Sequence, residues 1–130
     1  MRIPPHFGVV TPYIVVENAD SYVQFLKDGL NGIELGRNHR ADGKIANCQI
    51  RFVSSTVMVS EASRSFPATK AAFYLYVEDA DGAVERALLH GGVNIMDVAN
   101  MPYGDRQGGV QDPAGNIWWI SQRLVDTPYF

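Results

Sequence analysis

The chain has 130 residues, of which 46% are hydrophobic and 19% charged, with a formal net charge of -3 and a single cysteine, Cys48. This size and composition are typical of a globular domain that buries its own core, and the acidic balance argues against nucleic acid or an anionic membrane as a partner. One cysteine excludes a disulfide within the chain, so Cys48 is predicted to be a small buried hydrophobe.

The sequence carries no signal for a membrane or for export. No apolar run approaches the roughly 20 residues that a helix needs to span a bilayer. The first five residues, MRIPP, lack the apolar segment of a signal peptide. We therefore expect a cytoplasmic protein.

The first half of the chain predicts a strand, a helix and three further strands. The strand at about Tyr13 to Glu17 runs into Asn18, a residue type that favours helix N-caps. The helix after it is predicted to end at Gly29 to Gly32, where glycines favour left-handed C-caps. The short strands are predicted near residues 33–37, 46–53 and 56–60. The apolar residues at helical spacing are Tyr22, Val23, Leu26 and Leu30.

The second half predicts the same order of elements after a polar linker at about 63–70. A strand at about Phe73 to Glu78 leads to Asp79 as N-cap, and a helix ends at Gly91-Gly92. Strands follow near 94–98, 107–111 and 117–121, and Asp112-Pro113-Ala114-Gly115-Asn116 predicts a turn before the last one. The apolar residues of this helix are Ala80, Val84, Ala87 and Leu88.

The two halves are an internal repeat. An offset of 61 aligns YIVVENAD at 13–20 with YLYVEDAD at 74–81, and it also pairs Gly43 with Gly104 and Ser60 with Ser121. We therefore predict an α+β fold of two tandem βαβββ modules, at about 8–62 and 71–125, within a single domain.

Strand alternation separates two faces of each predicted sheet. One face is apolar and is predicted to lie beneath the helices; it carries Ile14, Val16, Val57 and Val59 in the first module and Phe73, Leu75, Val77, Trp118 and Ile120 in the second. The other face mixes aromatic rings, hydroxyls and amides, which is the chemistry of a small-molecule pocket. The alternative is a half-exposed sheet face or a subunit contact.

The duplicated plan, with Asp112-Pro113-Ala114-Gly115 before the last strand, resembles the vicinal-oxygen-chelate superfamily, which includes glyoxalase I, extradiol dioxygenases and bleomycin-resistance proteins. Residues 103–106 and 110–120 look closest to its metal-poor, glyoxalase-like branch. The resemblance implies a curved mixed sheet with a concave cleft, helices on the convex side, and a homodimer. Pro4-Pro5 is a stiff arm that favours exchange of the N-terminal segment between subunits.

The resemblance also assigns the four usual metal-ligand positions to Thr11, Met58, Ala72 and Trp119. These residues offer a hydroxyl, a thioether, a methyl group and an indole, whereas catalytic divalent metals need several His, Asp, Glu or Cys donors. We therefore predict no metal and no cofactor. His6 and Glu61 are the remaining candidates for an unconventional metal site.

The predicted function is sequestration of a flat aromatic or heterocyclic small molecule, in an antibiotic-resistance or producer self-protection setting. Two alternatives stay open: an enzyme of the glyoxalase or dioxygenase type, a lyase or isomerase with an absent or unconventional metal site, and a structural or interaction module. The predicted ligand-binding residues are Thr11, Tyr13, Asn47, Gln49, Met58, Tyr74, Tyr76, Tyr103, Arg106 and Trp119.

Overall fold

The computed structural model describes all 130 residues and divides into two compact units, Met1–Thr69 and Lys70–Phe130. Each unit consists of a four-stranded mixed sheet with one helix packed on it. The predicted α+β fold of two βαβββ modules is therefore confirmed. Neither helix has the length and hydropathy required to cross a membrane.

In the first unit the elements are β1 (Tyr13–Val16), α1 (Ala19–Asp28), β2 (Ile33–His39), β3 (Ile45–Phe52) and β4 (Ser55–Glu61). The strand order is β1-β4-β3-β2, with β1 parallel to β4 and the other pairs antiparallel. Helix α1 packs on β3, β4 and β1. Cys48, Ile50 and residues that strand alternation or helical spacing predicted are buried in this unit; the predicted ones are Ile14, Val16, Tyr22, Val23, Leu26, Val57 and Val59.

In the second unit the elements are β5 (Ala72–Tyr76), α2 (Ala80–Leu89), β6 (Val93–Asn100), β7 (Asp105–Gln111) and β8 (Ile117–Arg123). The order β5-β8-β7-β6 repeats that of the first sheet. Trp118 and Ile120 are buried as predicted, and the Trp118 ring packs against Phe73 at a centroid distance of 4.6 Å. The predicted apolar face of β5 is less enclosed, because Phe73 and Leu75 are only half-buried.

The N-termini of the two helices are capped in different ways. Asp79 is an N-cap as predicted, accepting a hydrogen bond from Gly82 N at 3.2 Å. Asn18 is the N-cap residue of α1 as predicted, but its backbone is left-handed (φ 60°, ψ 53°) and its side chain makes no capping hydrogen bond. Glu61 caps the helix instead: its two carboxylate oxygens accept from the Asn18 and Ala19 amides at 3.0 and 2.9 Å, which suits the positive end of a helix.

Gln122, which lies 61 residues after Glu61, does the same in the second unit. Its Oε1 accepts from Ala80 N at 3.1 Å. The end of the last strand in each module therefore fixes the start of that module's helix, and Glu61 has a structural role.

The left-handed C-cap predicted at the glycines is found after α2 but not after α1. Gly91 has φ 116° as predicted for a left-handed cap, but Gly29 is right-handed (φ -82°) and Asn31 takes the positive φ of 63° instead. A Cβ on Gly32 would lie 2.5 Å from Ile50, and one on Gly92 would lie 2.5 Å from Val110. These two glycines are needed because each helix end approaches its sheet closely.

The turn before β8 forms as predicted, around a buried Asp112. Its Oδ1 accepts from Ala114 N at 2.9 Å and from Asn116 N at 3.0 Å, while Oδ2 accepts from the indole N–H of Trp118 at 2.9 Å. Gly115 has the positive φ (87°) that the turn requires. Asp112 thus ties the turn to the core residue of β8.

Candidate functional site

The face of the first sheet that points away from α1 carries several of the predicted ligand residues. Tyr13 pairs with Met58 across β1 and β4, and Met58 pairs with Gln49 across β4 and β3, so the three lie in one row. Asn47 lies near this row and donates its amide N–H to the Tyr13 hydroxyl at 3.4 Å. Thr11 precedes β1, and its hydroxyl donates to Gly8 O at 3.2 Å.

The face of the second sheet that points away from α2 carries Tyr74, Tyr76 and Trp119, and we name it the tyrosine face. Tyr74 pairs with Trp119, which pairs with Gly109 on β7. The rings of Tyr74 and Tyr76 are 5.3 Å apart. A Cβ on Gly109 would lie 2.6 Å from the Trp119 ring, so the missing side chain gives the indole room to lie over β7. The three rings are half-buried or exposed.

A buried carboxylate lies at one end of this face. Asp105 is fully buried. Its Oδ2 accepts from the hydroxyls of Tyr74 at 3.0 Å and Tyr129 at 2.6 Å, and its Oδ1 accepts from the Arg123 guanidinium at 2.9 Å. Burial raises the pKa of Asp105, but the hydrogen bonds from Tyr129, Arg123 and Tyr74 outweigh it, and the net pKa lies below the ordinary value. The face therefore contains a negative charge at neutral pH.

The two phenols that donate to Asp105 stay protonated. Burial is the main cause that raises the pKa of Tyr74 to about 12. The hydrogen bond to Asp105 is the main cause that raises the pKa of Tyr129, and a second bond to Tyr76 adds to it. Both hydroxyls therefore act as donors to the carboxylate over the physiological range.

A second chain of polar groups runs beside the aromatic rings. The hydroxyl of Tyr103, in the loop before β7, donates to Gln107 Oε1, and Gln107 Nε2 donates to Ser121 Oγ at 2.8 Å. The bonds fix the orientation of the buried Gln107 amide. Tyr103 is thus brought to the edge of the tyrosine face, where its ring makes an edge contact with Tyr129 at 6.3 Å.

The structure does not bring Arg106 to this face, and the prediction that it binds ligand is corrected. Arg106 follows Asp105 in β7 and points to the opposite side, where its Nε and Nη2 bind the Asp81 carboxylate of α2 at 2.6 and 3.0 Å. Its Nη1 donates to Asn100 Oδ1 at 2.9 Å. Arg106 therefore links α2 to the edge of its sheet.

Sequence reasoning did not select Asp105, Arg123 or Tyr129. Asp105 and Arg123 are paired neighbours on β7 and β8. Starting the predicted strand 107–111 two residues earlier, and ending the strand 117–121 two residues later, would have placed both beside Gln107 and Ser121. Tyr129 lies outside any regular element, and no local pattern indicates where it packs.

A cavity of about 750 Å³ lies elsewhere, in the first unit. Its lining is mostly charged, with Glu17, Arg40, Lys44, Glu61 and Arg64 among the residues that form it. It includes none of the residues predicted to bind ligand. A lining of mixed positive and negative side chains does not suit a flat apolar ring. We therefore place the candidate site on the sheet faces.

Comparison with known proteins identifies the family of this fold. The model of the glyoxalase/bleomycin resistance protein/dioxygenase superfamily matches residues 5–120. The chain belongs to this superfamily. It is 30% identical over 124 residues to the protein Mb0911c of Mycobacterium bovis, a match covering 87% of this chain and 82% of the relative.

Two solved structures of similar fold are informative. A gene product of Arabidopsis thaliana, At5g48480, has a TM-score of 0.72 at 25% identity, covering 88% of this chain and 98% of that one. TnmS3, described as an antibiotic binding protein from Streptomyces sp. CB03234, has a TM-score of 0.69 at 18% identity, covering 95% of this chain and 98% of that one. At 18% identity the second likeness concerns the fold alone.

The residues that the resemblance assigns to the superfamily's metal positions do not fit a metal ion. Thr11, Met58, Ala72 and Trp119 supply one hydroxyl and no imidazole, carboxylate or thiolate. Glu61 is engaged at the start of α1. No group of three or more His, Cys, Asp or Glu side chains is arranged to hold a metal ion.

Proposed function

We propose that this protein binds and sequesters a flat aromatic or heterocyclic small molecule on the tyrosine face. One observation carries the proposal: exposed aromatic rings stand beside a buried, charged Asp105 whose hydrogen bonds hold it in one orientation. Apolar walls with a few fixed polar groups are the usual composition of a small-molecule site.

The energetics of such a site are sufficient for useful affinity. Each offset or edge-to-face aromatic contact adds about 0.5–1.5 kcal/mol beyond the area it buries. Contacts to Trp119 and to one tyrosine would therefore strengthen binding about 5- to 150-fold over burial alone, at about 1.4 kcal/mol for each factor of ten. Tyr13 and Met58, with the amides of Asn47 and Gln49, form a comparable set on the first sheet.

Sequestration suits the chemistry better than catalysis does. The lowered pKa of Asp105 makes this carboxylate a weak base, whereas a general base works best with a pKa near the operating pH. The similarity in fold to TnmS3, named an antibiotic binding protein, supports an antibiotic as the ligand class. Resistance or producer self-protection is then the biological setting that we propose.

The test is a fluorescence titration with antibiotics of several aromatic classes. In the variant Trp118→Phe the remaining tryptophan is Trp119, on the tyrosine face, and we expect its emission to change saturably. The matched control is Trp119→Phe, whose remaining Trp118 is buried and is expected to respond weakly. An unchanged Trp119 signal across all classes, with folded protein by circular dichroism, would contradict the proposal.

We also infer that the protein is a homodimer, as the resemblance implies. In the single chain the segment after Pro4-Pro5 lies on its own sheet, where His6 O accepts a hydrogen bond from the Thr56 hydroxyl at 2.7 Å. Exchange of this N-terminal arm between the two subunits stays a prediction. Light scattering at micromolar protein concentration tests this inference, and a monomeric mass would contradict it.

A further inference from the structure

A segment of this chain already occupies part of the tyrosine face. Residues 124–130 follow β8 and contain no helix or strand, yet Tyr129 returns to the face. Its hydroxyl lies 2.6 Å from Asp105 Oδ2 and 2.7 Å from the Tyr76 hydroxyl. The Arg123 guanidinium lies over its ring, 4.1 Å from the centroid.

We infer that Tyr129 marks a phenol subsite, in which Asp105 recognises the hydroxyl of a bound phenolic ligand and Arg123 covers its ring. This inference rests on the proposed function and names the ligand class. The tyrosine side chain is itself a para-substituted phenol. The position that the Tyr129 ring occupies therefore has the shape, the hydrogen-bond acceptor and the cation–π partner that such a ligand requires.

The hydrogen bonds explain why a ligand would replace Tyr129 rather than bind beside it. Each carboxylate oxygen accepts about two hydrogen bonds, and Asp105 Oδ2 already receives one from Tyr74 and one from Tyr129. The Tyr74 donor is fixed by β5, whereas the Tyr129 donor belongs to a segment with few bonds to the sheet. Tyr129 is therefore the donor that can leave.

The same bonds explain selectivity. A ligand that displaces Tyr129 without offering a donor would leave a buried carboxylate one hydrogen bond short, and an unmade bond to a buried charged group is costly. Sites built around a hydrogen bond discriminate strongly against analogues that lack it. The subsite should accept a phenol and reject its methyl ether.

The segment is held where it can compete. Arg123 Nη2 donates to Thr127 O at 2.5 Å, and Arg123 Nη1 donates to Tyr103 O at 2.6 Å, so Arg123 links the segment to the loop before β7. A side chain tethered in this way acts at an effective concentration on the order of millimolar. Tyr129 would therefore be an intramolecular competitor of any free phenol.

The experiment compares two small probes, 4-methylphenol and 4-methylanisole, by ligand-observed NMR and calorimetric titration of the full chain. Wild type is compared with Tyr129→Ala, and Phe130→Ala, which changes the neighbouring fully exposed ring, is the matched control. We expect Tyr129→Ala to bind 4-methylphenol about tenfold more tightly than wild type. Phe130→Ala should match wild type, and 4-methylanisole should gain little in either variant.

Two results would overturn the subsite: no gain of 4-methylphenol affinity in Tyr129→Ala, or an equal gain for the methyl ether. Asp105→Asn in the Tyr129→Ala background should reduce the preference for the phenol, because the amide oxygen still accepts a hydrogen bond but carries no charge. Circular dichroism shows whether that protein is folded. If it is not, the two probes on Tyr129→Ala alone decide the question.

The same data separate this inference from the proposed function. If an antibiotic changes Trp119 emission but Tyr129→Ala gains no affinity for 4-methylphenol, the subsite is refuted and the proposed sequestration function is not. If Tyr129→Ala gains affinity for 4-methylphenol but no antibiotic changes Trp119 emission, the subsite is supported and antibiotic sequestration is refuted.

Discussion

The adjacent tryptophans Trp118 and Trp119 lie on opposite faces of β8, and the structure predicts that replacing each with phenylalanine has a different effect. Trp118 is buried, packs against Phe73 and donates its indole N–H to Asp112 Oδ2 at 2.9 Å. Trp119 is half-buried on the tyrosine face. Trp118→Phe should therefore lower stability, and Trp119→Phe should weaken ligand binding.

The loss in Trp118→Phe has two contributions. A hydrogen bond to a charged group contributes about 1.5–3 kcal/mol, and the smaller ring leaves a cavity that costs about 1 kcal/mol. The expected decrease in the free energy of unfolding is about 2.5–4 kcal/mol. Trp119→Phe removes no hydrogen bond shown by the structure, and a partly exposed substitution of this kind costs about 0.5 kcal/mol.

Urea unfolding followed by far-ultraviolet circular dichroism measures both losses without using either tryptophan as the probe. Acrylamide quenching of the two variants gives an independent reading, because the remaining Trp118 should be protected and the remaining Trp119 accessible. Equal losses of stability, or equal quenching, would refute the assignment of the two rings to opposite faces.

Three further predictions follow from single contacts. Glu61→Ala should cost about 0.5–2 kcal/mol of stability, as loss of a helix cap does, and Gln122→Ala should cost less because it caps one amide rather than two; urea unfolding compares them. The Arg37 guanidinium lowers the pKa of Glu34 from its ordinary value of 4.5 to about 2, so its stabilising contribution is complete above pH 4.5 and is lost as the pH falls towards 2. Acid titration of Glu34→Gln should show less loss over that window than wild type, and an unchanged profile would contradict the pairing. Burial raises the pKa of the Cys48 thiol to about 11, so Ellman's reagent at pH 8 should react only after unfolding; rapid reaction of native protein would show that the thiol is accessible.

The fold was predictable because the sequence patterns that indicate it are local and occur in both halves of the internal repeat. Strand alternation, helical spacing and the turn around Asp112 each depend on residues close in sequence. The repeat then fixed the number of elements, since each half supported the interpretation of the other. The same property explains why the capping bond at Asn18 was not predicted: Asn18 is the N-cap residue, but the side chain that accepts from its amide, Glu61, lies 43 residues away in sequence.

The site was less predictable because its central contacts are distant in sequence. The predicted strand began at Gln107, whereas β7 begins at Asp105, so the alternation that separates Asp105 from Arg106 was not applied to either residue. Applied there, it places Arg106 with Gly108 and Val110, towards α2. The contact from Tyr129 to Asp105 joins residues 24 positions apart, and Tyr129 belongs to no helix or strand, so only the folded chain shows it.

Comparing the two halves residue by residue indicates which features serve folding and which serve binding. The capping pair, Glu61 and Gln122, and the close-approach glycines at 32 and 92 do the same work in both units. The faces away from the helices differ: the Tyr13 hydroxyl meets the neutral amide of Asn47, whereas the Tyr74 hydroxyl meets the charged Asp105. A duplicated module needs its helix side twice to fold, but the first unit folds with Lys44 at the position that matches Asp105. Folding of the module therefore does not require this carboxylate, whose burial is tolerated because Arg123 and two phenols pair it. The asymmetry is therefore best explained by binding, and it directs the search for a ligand to the second unit.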